Sequence, residues 1–437
     1  MSSDSGGAPA TPGGLRRLGR GLHGVALDTT PLRGSRDFRF LFWGQAINLV
    51  GSQVRIVTLP YQVFLITHSS LAVGLLSLVQ FFPLLITSFI GGALADAMDR
   101  RRLLLITQVL LAITSGLLAT ASLLGHPSLW YLLSVAAVAA GISAIDAPTR
   151  RAVIPRLVGR DQIAQAISLN QALNQLGNAI GPAIAGLILA EVGVGSAYLF
   201  DALTFLASIL ALVFIAPMPP LLEGQQLQRR GLSAIREGLS FLRGKPILLS
   251  TFIIDIDATF FGVPRALFPA LATEVFKAGP SGLGFLYAAP GVGALIGALL
   301  TGWVSRVRRQ GRAVIVAVCI WGAAIAGFGL MTHFFLLALF FLGIAGAADM
   351  YSAIFRGTIL QSSVPDRLQG RLSAVHFMVV NSGPRLGDFE ASVVAALSSL
   401  EFSVVSGGVA ALVGAIAIAL AIPSFGRYDT ADLPEFD

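Results

Sequence analysis

The chain is poor in much of what soluble folds and active sites rely on. It has a single cysteine, Cys319, which excludes a disulfide scaffold and paired-thiolate metal chemistry. Three of its five histidines, His68, His126 and His333, fall at loop edges, and neither a metal-ligand cluster nor a phosphate-binding Walker loop is written in it, so an enzyme is not expected. Charge is scarce, at 12% of 437 residues, where soluble domains carry roughly 25%. Lysine is nearly missing: Lys245 and Lys277 stand against 28 arginines. What fills the space is apolar, 55% of residues, with a mean hydropathy of +0.78. So much apolar surface could not be hidden from water by a soluble chain of this length. The net charge of +7 is not gathered on a soluble face, which excludes a nucleic-acid partner. An all-α polytopic membrane protein remains.

Apolar runs of about 20 residues, the length that crosses a bilayer core, recur along the chain. Twelve are expected: 39–66, 71–95, 103–124, 129–147, 163–190, 196–216, 247–272, 281–304, 313–331, 334–355, 370–397 and 402–422. Several exceed the span length, which predicts tilted or broken helices. The longest polar interruption divides them six and six. The resulting organisation is a disordered tail over 1–35, a six-helix bundle over 36–216, a linker over 217–246, a second bundle over 247–423 and a tail over 424–437. Leu232, Ile235, Leu239 and Leu242 give the linker a surface amphipathic helix around 232–243. With both termini in the cytosol, all but four of the 30 basic residues, Arg356 among them, fall in cytosolic segments; the four are Lys277, Arg55, Arg265 and Arg385. Those arginines predict contact with anionic lipids at the cytosolic face. The arginine excess, with many alanines and glycines, suggests a bacterial plasma membrane.

The halves echo each other. Gly141, Arg151 and Asp161 return 205 residues later as Gly346, Arg356 and Asp366; Gly74 and Gly92 return as Gly284 and Gly302; Gly181-Pro182 returns as Gly383-Pro384. Two bundles related by a pseudo-two-fold axis along the membrane normal place a site between them near mid-membrane, the geometry of alternating access.

After the second run the chain reads Gly91-Gly92-Ala-Leu-Ala-Asp96-Ala-Met-Asp99-Arg100-Arg101-Arg102. This resembles the signature loop between helices two and three of the major facilitator superfamily, and implies its twelve-helix fold and a latch built on Gly92, Asp96, Arg100 and Arg101. Gly177-x-x-x-Gly181-Pro182-Ala-Ile-Ala-Gly186 resembles the exporter motif of the antiporter branches. His68-Ser-Ser-Leu-Ala-Val-Gly74, Pro264-Arg265-Ala-Leu-Phe-Pro269, Gly284-Phe-Leu-Tyr-Ala-Ala289 and Gly383-Pro384-Arg385-Leu-Gly387-Asp388 resemble the enterobactin (siderophore) exporter branch, from about residue 36 to 422. The resemblance implies proton-coupled efflux of a siderophore-like or drug-like amphiphile, driven by the proton gradient without a cofactor, by a monomer. An uptake or facilitative carrier, or a lipid flippase, on the same fold are the alternatives.

Ionisable groups inside a span are costly and mark functional candidates. Asp255 and Asp257 lie about 12–15 Å into their span at 1.5 Å per residue, two residues and so about 200° apart on the helix. Asp349 lies at similar depth. By resemblance, spans one, four, seven and ten line the cavity, which makes Asp255 and Asp349 the leading proton carriers, with Asp257, Asp388 and Glu390 as further candidates. Arg55 or Arg265 would tune the charge, and Arg385, three residues from Asp388, would pair with it or gate. Asp201 reads as structural, and Asp146 as a helix-end partner of nearby arginines. Asn170, Asn174 and Asn178 share one helix face and form a polar substrate wall or interhelical hydrogen bonds; Phe81, Phe260, Phe261 and Tyr351 could line the cavity. His376 is either a proton relay or a packed polar side chain.

Overall fold

The structure, a computed structural model, describes residues 28–125, 127–219, 240–242, 244–364 and 366–429. Most of the tail 1–35, the linker helix expected at 232–243 apart from 240–242, the last residues 430–437 and His126 lie outside them.

Serine and aspartate set the helix starts. Ser35 accepts from the Phe38 amide at 3.1 Å to begin α1 (Arg36–Thr67); Ser69 caps α2 (Ser70–Ala97); Asp99 accepts from the Arg102 amide at 3.0 Å to begin α3 (Arg100–Leu124); Ser128 caps α4 (Leu129–Leu157). A 51-residue helix, α5 (Ile163–Val213), follows and is broken at Gly193, where φ of 75° suits glycine alone. Then come α6 (Pro246–Phe260), α7 (Gly279–Leu299), α8 (Gln310–Leu330), α9 (Phe335–Ser363), α10 (Asp366–Leu397) and α11 (Leu400–Ala421).

Ten helical segments among the described residues are long and apolar enough to cross a membrane, fewer than the twelve runs expected. The difference has two sources. The break at Gly193 divides the stretch Ile163–Val213 into two crossings, and α10 carries too many polar groups to qualify although it runs 32 residues beside the others. Residues 30–34, expected to be disordered, instead form one helical turn: Asp28 accepts from the Thr30 amide at 2.9 Å and Pro31 starts the turn.

The span expected at 247–272 is a broken helix. Gly262 and Pro264 end α6, and the chain resumes as a 3-10 turn at Arg265–Leu267, a helical turn at Phe268–Ala270 and a π turn at Leu271–Val275. Backbone freed inside a membrane must find partners within the protein. The Ala266 amide finds one in Asp388 of α10, at 3.0 Å.

The repeat noted in the sequence is a repeat of contacts. Gly141 packs α4 against Pro83 of α2, and Gly346 packs α9 against Pro290 of α7. Gly181 admits Gln53 of α1, and Gly383 admits Thr259 of α6. Gly74 meets Ser392 and the Asp388 carbonyl of α10; Gly284 meets Gly186 and the Pro182 carbonyl of α5. The last pair are the contacts between halves, α2 with α10 and α5 with α7. Each member of a pair is the image of the other under the pseudo-two-fold.

One side of the molecule gathers the start of α1, the turn at 157–162, the segment 214–219 and the end of the chain: Ser35 donates to the Leu157 carbonyl, Asp37 accepts from the Ala216 amide, and Tyr428 meets Ser363. This is the linker side. The close contacts at Gly74, Ser77, Gly186 and Gly284 all sit toward the opposite, far side, where the ends of α1 and the 266–270 turns also share a hydrophobic core. The halves are therefore joined on the far side.

Candidate translocation site

Between the α1, α3, α4 and α5 walls of the first half lies a cavity of about 720 Å³. It runs from Asn178 near mid-helix to Arg150, Arg151 and Ile154, so it opens toward the linker side. Its wall is a chain of amides. Asn48 donates to Gln108 at 2.7 Å, Gln108 to Asp146 at 3.0 Å, Asn170 to Gln45 at 3.0 Å, and Gln53 to Asn178 at 2.9 Å. Asn170 and Asn178 thus bond between helices, Asn174 donates to Asn170 of its own helix at 3.0 Å, and all three line the cavity. Sequence spacing puts them on one face but misses their partners on α1, because uncharged Gln45 and Gln53 sit in a run that reads only as a span.

Asp146 accepts from Thr107 at 2.7 Å and from Arg150 at 3.1 Å; α4 runs on to Leu157, so this is a buried pair within the helix and not at its end. Arg55, expected to tune the acids of the second half, points elsewhere: its Nε lies 3.5 Å from Asp201, its guanidinium packs over Phe205, and Asp201 also accepts from Ser115 at 2.6 Å. Asp201 is fully enclosed and Arg55 nearly so. Removing one partner of a buried pair strands the other and costs about 3–5 kcal/mol. Arg55→Met alone should therefore lower the melting temperature of the detergent-solubilised protein markedly, and Arg55→Met with Asp201→Asn should restore much of it. Equal melting of the single variant and the parent would refute the pairing.

The second half holds a different cluster. Arg356 of α9 donates through Nη1 to Asp255 of α6, and its Nη2 lies 3.9 Å from Asp349. His376 of α10 reaches Asp255 with Nδ1 at 3.5 Å and sets its ring edge-on to Phe252. Burial divides the four. The Asp255 and Arg356 side chains are 1% and 7% exposed, whereas Asp349 and His376 are 59% and 41% exposed. Asp349 lies beside the Arg356–Asp255 pair, on the α9 face that carries Arg356. Asp255 Oδ2 and Arg356 Nε are enclosed without a hydrogen-bond partner among the described residues. Such unsatisfied groups inside a membrane protein are costly.

Arg356 is a correction: expected as a cytosolic, orienting charge, it lies buried at the centre of the cluster. A signal for this is present in the sequence, since Arg356 follows Asp349 by seven residues, two helical turns, and so lies on the same face. Asp257, two residues from Asp255, faces the other way, against Gly414 of α11. Arg265 stands exposed in the helix break, next to the Ala266 amide that Asp388 accepts from, and makes no ion pair among the described residues. Arg385 and Asp388 do not pair. The Arg385 guanidinium donates to the Asn381 carbonyl at 2.9 Å, and Asp388 is taken by Ser77 of α2 at 3.0 Å and by the Ala266 amide, which makes it a clasp between halves and a splint for the helix break. Glu390 is half-buried with no ion pair among the described residues.

A Cβ at Gly92 would meet nothing within 4 Å; its neighbour Gly91 is the glycine that meets Ile145 and Ala144 of α4. Arg100 donates to the Ala152 carbonyl at 2.9 Å and Arg101 to the Leu212 and Val213 carbonyls, so both tie the loop within the first half. The Asp96 side chain lies outside the described residues; Asp99 holds the loop by accepting from the Met218 amide at 2.8 Å. Gly177, Gly181, Pro182 and Gly186 form the seam of α5 with α1 and α7. Phe81 stacks edge-on with the exposed Phe82, and Phe260 with Phe261 at the helix break, where the Phe260 carbonyl abuts Gly387. Tyr351 is not in the central cavity: it packs against Trp303 in a separate cavity among α7, α8 and α9.

Residues 28–436 match the model of the transmembrane secretion effector family. The chain belongs to that family. Among curated relatives, the enterobactin exporter EntS of Shigella boydii is 30% identical over 354 residues, 80% of this chain and 83% of the relative, and EntS of Escherichia coli matches equally. Solved structures show the same fold at low identity. The nucleoside transporter NupG superposes with a TM-score of 0.73 at 11% identity, covering 88% of this chain and 99% of that one. A bacterial homologue of the lysosomal transporter Spinster gives 0.70 at 15% identity, covering 92% and 98%. This secretion effector thus has the all-α major facilitator fold expected from its sequence. It is a multi-pass membrane protein of the bacterial inner membrane, a secondary transporter that exports a small molecule, and not an enzyme.

Proposed function

We propose that this protein expels a polar, hydrogen-bonding amphiphile of siderophore-like chemistry by exchanging it for protons, with its linker side and both termini in the cytosol. The observation that carries the reading is the Arg356–Asp255–Asp349–His376 cluster, in which one guanidinium serves two carboxylates of unequal exposure. Asp349, open to water, can take a proton; once neutral it releases its hold on Arg356, which then belongs to Asp255 alone. A substrate entering along the amide wall from the linker side meets donors and acceptors suited to a molecule rich in hydroxyl and amide groups. The curated relatives named for enterobactin export support that substrate class. The excess of arginines on the linker side supports the orientation.

The test is export by a strain lacking the gene, grown under iron limitation and beside a drug panel. Accumulation of a catecholate or hydroxamate in the mutant cells is expected, relieved by the wild-type gene, with that relief blocked by a protonophore. Drug sensitivity with normal siderophore secretion would replace the substrate class, and export that survives the protonophore would remove the coupling.

A further inference from the structure

A second cavity, of about 600 Å³, lies outside the translocation site, among α7, α8 and α9 on the linker side. Its walls are Trp303, Val316, Ile320, Ile344, Ala347 and Tyr351, almost wholly apolar, and Val316 and Ile320 stand 49% and 47% exposed. At its mouth are Arg309 and Arg312. Neither guanidinium has a hydrogen bond or ion pair among the described residues, and no acidic residue occurs between Thr301 and Val316. Two free cations at the end of a membrane helix, above an apolar slot, are charge-complementary to one kind of neighbour that always bathes such a face.

We infer that this cavity is a binding site for one anionic phospholipid of the linker-side leaflet. Arg309 and Arg312 hold its phosphate. An acyl chain lies along α8 from Arg309 toward Ile320, a rise of roughly 16 Å, with Trp303 as the shelf between headgroup and chain. The slot's inner wall is α9, the helix that carries Asp349 and Arg356; Trp303 packs on Tyr351 at 5.1 Å and on Phe355 at 6.1 Å, the residue next to Arg356. The lipid therefore braces the helix on which the charge cluster is built. This site is independent of what the protein carries and of the direction in which it carries it.

The experiment is native mass spectrometry of the full chain released from nanodiscs of equal phosphatidylglycerol and phosphatidylcholine. The wild type should retain one phosphatidylglycerol in preference to phosphatidylcholine by on the order of tenfold, as two arginines near a lipid headgroup provide. Arg309→Gln with Arg312→Gln should abolish the preference, Arg309→Lys with Arg312→Lys should keep it, and Ala347→Trp should exclude both lipids from the slot. No preference in the wild type, or an undiminished preference in the double glutamine variant, overturns the proposal. Retention unchanged by Ala347→Trp would place the lipid elsewhere and overturn it equally.

Discussion

Asp255→Asn should uncouple transport without preventing it. In vesicles, accumulation driven by a proton gradient is expected to fall roughly 5–150-fold, the span of ordinary coupling free energies, while exchange of substrate for substrate continues. The carboxylate is fully enclosed and holds Arg356. The amide keeps its shape but gives up its charge, so Arg356 turns to Asp349, 3.9 Å away, and the switch between two carboxylates is lost. Arg356→Gln in an otherwise native chain should be worse for folding, by about 3–5 kcal/mol, because it leaves an uncompensated buried acid. Combining it with Asp255→Asn should recover stability but not coupling. That split separates a structural pair from a working one. If Asp255→Asn and Asp349→Asn both accumulate substrate as the wild type does, the cluster does not carry the proton.

Gly186→Leu should hold the far side open. A Cβ at this position would stand 2.6 Å from the Gly284 Cα and 2.8 Å from the Pro280 carbonyl, backbone that cannot step aside. Forcing extra atoms into such a seam costs about 1–3 kcal/mol. Because the penalty falls only on the far-side-closed state, its upper value shifts the balance of states by on the order of a hundredfold. Transport should fall in proportion, and Gly186→Ala should fall less. The shift is read at Ser77, which is part-buried and bonds Asp388 across the halves on the far side. In a chain carrying Cys319→Ser and Ser77→Cys, a membrane-impermeant maleimide should label the introduced thiol faster when Gly186→Leu is added. Unchanged labelling would mean that the α5–α7 seam does not open during the cycle.

The repeat is readable because duplication preserves spacing, and spacing is a property of the chain. Gly141 and Gly346, Gly181 and Gly383, Gly74 and Gly284 pair by offset, and each pair performs one task in the fold. Adjacent glycines cannot be told apart in the same way. Gly91 and Gly92 differ by one residue, or about 100° of helix, and only the placement of α4 decides that Gly91 takes the contact. The charges mislead for a related reason. Arg356 lies close to the arginines that orient the protein, and hydropathy cannot separate a buried cation from a cytosolic one near a helix end. Arg385 and Asp388 have the spacing of an intrahelical pair, yet a helix break after α6 and a serine on α2 offer Asp388 better partners. Local spacing ranks the partners on one helix; it says nothing of those brought by another.

By itself the sequence determined that this protein is helical, spans a membrane many times, is built from two copies of one plan and carries acids at mid-depth. Those properties follow from hydropathy and period, which each short stretch of chain states on its own. The tertiary structure decided which acid meets which arginine, which glycine closes the seam and on which side the halves part. Each of those depends on how helices distant in sequence are rotated about their axes, and rotation is settled by the packing of the whole bundle at once.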